Sequence, residues 1–134
     1  MLVSGALLVL SSSDLFTDQK LYTGKEDHSI TLAEASQLTH NFQKQASADQ
    51  VIAQYFGRDA VINILQQKGC VGMRIYNGMD ENGNPHPVIV GVDGNGSDMT
   101  EGLLAERASA CPPFCSQVND LNSPMSNSEF SLNY

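Results

Sequence analysis

The chain has 134 residues, the length of one ordinary domain, and its 15 acidic and 7 basic side chains leave a net charge of −8. That balance argues against a nucleic-acid or anionic-membrane partner, because both require a positive footprint. An apolar fraction of 41% suffices for a core at this length, while three cysteines are too sparse for a disulfide scaffold.

Residues 1–30 read as an apolar arm followed by an irregular lead-in. The apolar run from Leu2 to Leu10 is too short to cross a bilayer as a helix, and no transmembrane segment is expected. It resembles the apolar part of a secretory signal, but it lacks a basic start and an A-x-A cleavage site. A buried strand or docked arm is the reading taken, with a cytoplasmic location; export is the alternative if residues 1–13 act as a signal.

Residues 31–116 read as one compact domain. Thr31-Leu32-Ala33-Glu34 is a capping box, and Leu32, Ala35, Leu38, Phe42 and Ala46 then recur at helical spacing. A second box, Ser47-Ala48-Asp49-Gln50, predicts another helix carrying Val51, Ile52, Tyr55 and Phe56 and ending at Gly57. Asp59 predicts the start of a third, with Val61, Ile62, Ile64 and Leu65 inside and Gly69 as terminator.

From Cys70 the apolar period changes from 3.6 to 2. Val71, Met73 and Ile75 alternate with Gly72, Arg74 and Tyr76, and Val88, Val90 and Val92 follow after the turn-rich stretch "NGMDENGNP". Two such runs predict a β-hairpin, with Pro85 and Pro87 fraying the start of its second strand or placing it at an edge. Residues 99–108 fit a strand or a short helix equally well. Residues 117–134 form a polar tail whose only bulky groups near the end, Phe130, Leu132 and Tyr134, offer a means of docking. The fold class is α+β: N-terminal helices packed on a small antiparallel, hairpin-based sheet.

Chemistry has few places to reside. In Cys111-Pro112-Pro113-Phe114-Cys115 the diproline favours an extended chain, which would hold the two Cα atoms about 12 Å apart. A disulfide needs about 7 Å or less, so Cys111 and Cys115 can pair only if the chain folds back; a rigid structural segment with two thiols is the plainer reading. Zinc would need Cys70, Cys111 and Cys115 plus one histidine from His28, His40 or His86, with His86 the one retained. The spacing C-x3-C is one residue longer than the usual redox pair. The acidic turns at 80–84 and 93–98 lack the Gly and Glu positions of a calcium loop, and turn chemistry alone accounts for their residues. Arg74 and Tyr76, neighbours on the strand, are candidate ligand contacts; the alternative for Arg74 is a solvated sheet-face arginine. No catalytic motif is present, so no enzyme activity and no cofactor are expected.

The stretch from Gly69-Cys70-Val71-Gly72-Met73-Arg74-Ile75-Tyr76 to Cys111-Pro112-Pro113-Phe114-Cys115 resembles a group of small uncharacterised bacterial proteins of Bacteroidetes type, over roughly residues 31–116. They share a G-C-x-G-x-R-I-Y strand and a C-P-P-x-C segment. The resemblance implies one compact domain holding Cys70, Arg74, Tyr76, Cys111 and Cys115, and it brings no activity. The functional expectation is a small non-enzymatic interaction or assembly module whose partner is another protein or a second copy of itself. The alternative is a thiol-based metal or redox protein using Cys111 and Cys115, with Cys70.

Overall fold

The computed structural model describes residues 22–123. The apolar run at 2–10 and the aromatic end at 130–134 lie outside the described residues. Seven elements follow in chain order: α1 (Leu32–Gln43), β1 (Ala53–Tyr55), α2 (Arg58–Leu65), β2 (Cys70–Tyr76), β3 (Val88–Asp93), β4 (Leu104–Ala105) and β5 (Ser109–Cys111). The fold is α+β, with helices at the N-terminal side and two small antiparallel sheets, β2-β3-β4 and β1-β5.

Helix α1 starts where the capping box places it. The Thr31 hydroxyl accepts from the Glu34 N–H at 3.2 Å, and Glu34 Oε2 accepts from the Thr31 N–H at 2.8 Å. Two orphan donors are thereby satisfied. The helix is capped at Lys44, two residues short of Ala46.

The second helix is not formed. Ser47 and Gln50 do make a local turn: the Ser47 N–H reaches Gln50 Oε1 at 3.3 Å, and the Gln50 N–H reaches the Ser47 carbonyl at 3.0 Å. The chain then extends, and Ala53–Tyr55 pairs with Ser109–Cys111. Val51, Ile52, Tyr55 and Phe56 are β-branched or aromatic, so a strand partner overrides a weak helical preference. Helix α2 is capped by Gly57 without a side-chain bond, and Asp59 falls in its first turn, where a carboxylate favours the positive end of the helix. Past its C-terminus Gly69 adopts φ +86° and turns the chain into β2.

Strand β3 is the centre of the core. Ile89, Val90 and Val92 are almost fully buried, together with Ile64 of α2, because β2 and β4 flank β3 and α2 packs on the sheet. Pro85 and Pro87 precede β3 and take no ladder position; Pro85 makes only an isolated bridge to Met79. Residues 99–102 form a turn and 104–105 a strand, which resolves that segment in favour of β. Gln67 ties α2 to this turn. Its Nε2 donates to the Ile64 carbonyl at 2.9 Å, and its Oε1 accepts from the Leu103 N–H at 2.7 Å.

The hairpin loop depends on one close backbone approach. The His86 N–H donates to the Gly78 carbonyl at 2.8 Å, and a Cβ on Gly78 would overlap the His86 carbonyl oxygen. Neither backbone can yield without breaking the bridge. Gly78→Ala is therefore expected to lower unfolding stability by about 2 kcal/mol or more in urea titrations. Gly57→Ala, where a Cβ meets nothing within 4 Å, is expected to stay within about 0.5 kcal/mol of the parent.

Candidate functional site

The most distinctive feature surrounds Cys111 and Cys115, which are joined in a disulfide with Cα atoms 4.7 Å apart. The extended diproline expected from the sequence is not what forms. Both proline peptide bonds, Cys111–Pro112 and Pro112–Pro113, are cis, and the chain turns back so that the Phe114 N–H donates to the Ala110 carbonyl at 3.0 Å. Cys111 is held in β5 and is 6% exposed, while its carbonyl accepts from the Ile52 N–H at 2.8 Å. Cys115 is exposed, and Phe114 between them is 72% exposed.

Beside the disulfide lies a cleft of about 580 Å³. Two register pairs, Ala53 with Cys111 and Tyr55 with Ser109, place four side chains on the one face of the β1–β5 sheet that floors it. Thr39 and Gln43 of α1 form one wall, and the segment from Ser116 to Asn122 forms another. That segment is pinned to α1: the Ser36 hydroxyl donates to the Asp120 carbonyl at 2.7 Å, and Gln43 Nε2 donates to the Leu121 carbonyl at 2.7 Å. The folded region therefore runs past residue 116 to at least residue 122. The cleft lining carries no charged side chain. Its amides are engaged within the chain, Gln43 as above, Gln54 with the Pro85 carbonyl at 3.0 Å, and Asn119 with Ser116 Oγ at 2.8 Å. What the cleft offers an occupant is mainly apolar surface from Ile52, Tyr55, Phe114 and Leu121. A second apolar hollow of about 650 Å³, lined in part by Phe42, Phe56, Ile75 and Pro87, opens where β1 meets the end of β2.

The remaining singled-out residues are placed elsewhere and are mostly engaged. Arg74 pairs with Asp98 Oδ1 and donates to the Gly96 carbonyl at 3.2 Å, and the Tyr76 hydroxyl donates to Asp98 Oδ2. Arg74 is thus tied to Asp98 and Gly96 while its side chain stays about one third exposed, 34%. Its guanidinium is held further toward the charged form, chiefly by the hydrogen bond with Tyr76 and then by the Asp98 carboxylate. Asp98 was not legible as their partner, since 24 and 22 residues separate it from Arg74 and Tyr76. The two acidic turns share one design. Asp80 Oδ1 accepts from the Asn82 and Asn84 N–H groups, and Asp93 Oδ1 accepts from the Asn95 and Ser97 N–H groups, all within 2.8–2.9 Å. These carboxylates close turns.

Cys70 is a free, half-buried thiol that donates to the Gly72 carbonyl at 3.0 Å. A Cβ on Gly91 would lie 3.1 Å from its sulfur, so Cys70 is packed tightly against β3. His40 is a buried residue of α1, its Nδ1 3.4 Å from Ser36 Oγ one turn back. His28 is exposed beside Tyr22 and Gly24, along a groove at β2. Among the described residues no three of His, Cys, Asp and Glu converge to hold a metal ion, and no helix is long and apolar enough to cross a membrane.

His86 sits between two carboxylates. Its Nδ1 is 2.6 Å from Glu106 Oε1, and its Nε2 is 3.5 Å from Asp80 Oδ2. The contact with Glu106 raises the imidazole pKa above its ordinary value, and the same contact lowers that of Glu106; Asp80 is lowered first by Asn84. The cluster joins the hairpin loop to the chain between β4 and β5.

Comparison with protein-family models, with curated proteins and with solved structures finds no match to this chain.

The linkage at His86 has a defined sign. A pKa raised on folding means stability that is fully present below the unfolded value of about 6.5 and lost as pH rises through the folded value. The difference in melting temperature between the parent and His86→Asn is therefore expected to shrink as pH is raised from about 6 to about 8.5. A difference that stays constant over that range would remove His86 as its source.

Proposed function

We propose that the protein is a non-enzymatic protein-interaction module, related to the small bacterial proteins its strand and C-P-P-x-C segments resemble, and that the disulfide-edged cleft is its docking site. The supporting observation is the uncharged lining of that cleft beside two exposed aromatic side chains, Tyr55 at 65% and Phe114 at 72%. Large aromatic groups around a neutral, concave centre are what concentrates binding free energy at protein interfaces. The occupant is an uncharged, apolar stretch of another polypeptide. A net charge of −8 makes two copies of this chain repel, so a neutral or basic partner is the better match. Self-association is the narrower form of the same reading.

A capped peptide Phe-Leu-Ser-Gly titrated into isotopically labelled protein tests the site. Amide signals of Ala53, Tyr55, Ser109 and Asn119 are expected to shift and saturate, with a Kd of the order of 1 mM for so small a contact. Tyr55→Ser is expected to weaken it by roughly tenfold. Shifts scattered away from the cleft, or none at peptide concentrations of about 10 mM, would sink the reading. Light scattering over a concentration series runs beside it. Reversible dimerisation abolished by Phe114→Ser would give the cleft to a second copy.

A further inference from the structure

The cleft is edged by a disulfide whose two cysteines are not equivalent in exposure. Cys111 is 6% exposed, held in β5 with its carbonyl bound by Ile52, and its side chain belongs to the sheet floor through its register with Ala53. Cys115 is exposed on the returning chain, next to Phe114 and at the foot of the 116–122 wall. A nucleophile must approach a disulfide sulfur along the S–S axis from the side away from the leaving sulfur, so access decides which sulfur is attacked. Both cysteines line the cleft, but Cys111 is buried and Cys115 exposed, so Cys115 is the one a nucleophile reaches more readily.

We propose that the Cys111–Cys115 disulfide undergoes a single, stoichiometric thiol–disulfide exchange at Cys115 with a cysteine of the polypeptide seated in the cleft, the protein being consumed as the oxidant rather than turning over; the identity of that partner rests on the docking reading above. The incoming thiolate attacks Cys115 Sγ, a new sulfur–sulfur bond forms, and the Cys111–Cys115 bond breaks. The bonding pair leaves on Cys111 Sγ, which takes a proton from water. A second thiolate can then attack the substrate sulfur of the mixed disulfide. That step releases an oxidised pair of substrate thiols and leaves Cys111 and Cys115 both as thiols. Two electrons pass from the two substrate thiols to the protein disulfide, which is itself the oxidant. Cys70 does not take part, because its thiol is bound to the Gly72 carbonyl and packed against Gly91. The neutral lining and the overall negative charge favour an uncharged thiol over an anionic one.

The test uses the intact wild-type chain. It is incubated with a capped tetrapeptide, Phe-Leu-Cys-Gly, or with N-acetylcysteine amide as a small neutral thiol, then quenched with iodoacetamide. Cleavage after Arg107 yields the fragment carrying both cysteines, and tandem mass spectrometry assigns the adduct. The expected result is the peptide on Cys115 and the alkyl group on Cys111, at least about tenfold over the reverse, with the tetrapeptide reacting several-fold faster than the small thiol. An adduct on Cys111, or an even mixture, overturns the proposal. An intact Cys111–Cys115 bond at about 10 mM thiol overturns it as well. If both thiols react at Cys115 equally fast, the cleft is overturned as the substrate site while the exchange stands. The serine peptide of the preceding experiment reports docking without exchange, so the two failures are told apart.

Discussion

The pairing of Ala53–Tyr55 with Ser109–Cys111 is the constraint on which the site depends. It joins strands more than fifty residues apart and closes the hairpin sheet and α2 between them. It converts a segment with helical capping chemistry into a strand. It also holds Cys111 in a ladder while Cys115 stays free to meet it from the returning chain. Without it the cleft would lose its floor, and α1 would lose the 116–122 segment that docks beside it.

The molecule separates its polar chemistry from its apolar surface. Charged side chains are engaged along the hairpin sheet and its loops, with Arg74 and Tyr76 on Asp98, and His86 between Asp80 and Glu106. Each pairing joins groups that remain partly exposed to solvent, so it fixes geometry more than it adds stability. The β1–β5 face carries none of this. Its lining is neutral, and Gln43, Gln54 and Asn119 are bonded within the chain, so the surface there is mainly apolar.

Much of the fold was legible because its signals are local. The Thr31–Glu34 box, the change of period at Cys70 and the Gly/Asn-rich loop each lie within a few residues, and α1, β2 and β3 appear where those signals place them. Ser47–Gln50 shows the limit. Its side chains make part of the predicted bonding, yet the helix does not propagate because Val51, Ile52 and Tyr55 gain more from a distant strand. The role of Arg74 escaped for the same reason, since its partner lies across a hairpin and within a turn that reads only as a turn.

By itself the sequence determined the fold class, the first helix, the central hairpin and the closed acidic turns, because capping, periodicity and turn chemistry act between near neighbours. Only the tertiary structure decided that residues 53–55 are a strand, that Arg74 belongs to Asp98, and that the diproline bends Cys111 back to Cys115 rather than holding it away. Those outcomes depend on which distant segments meet, and a contact between residues far apart in sequence leaves no periodic or spacing pattern in the chain that makes it.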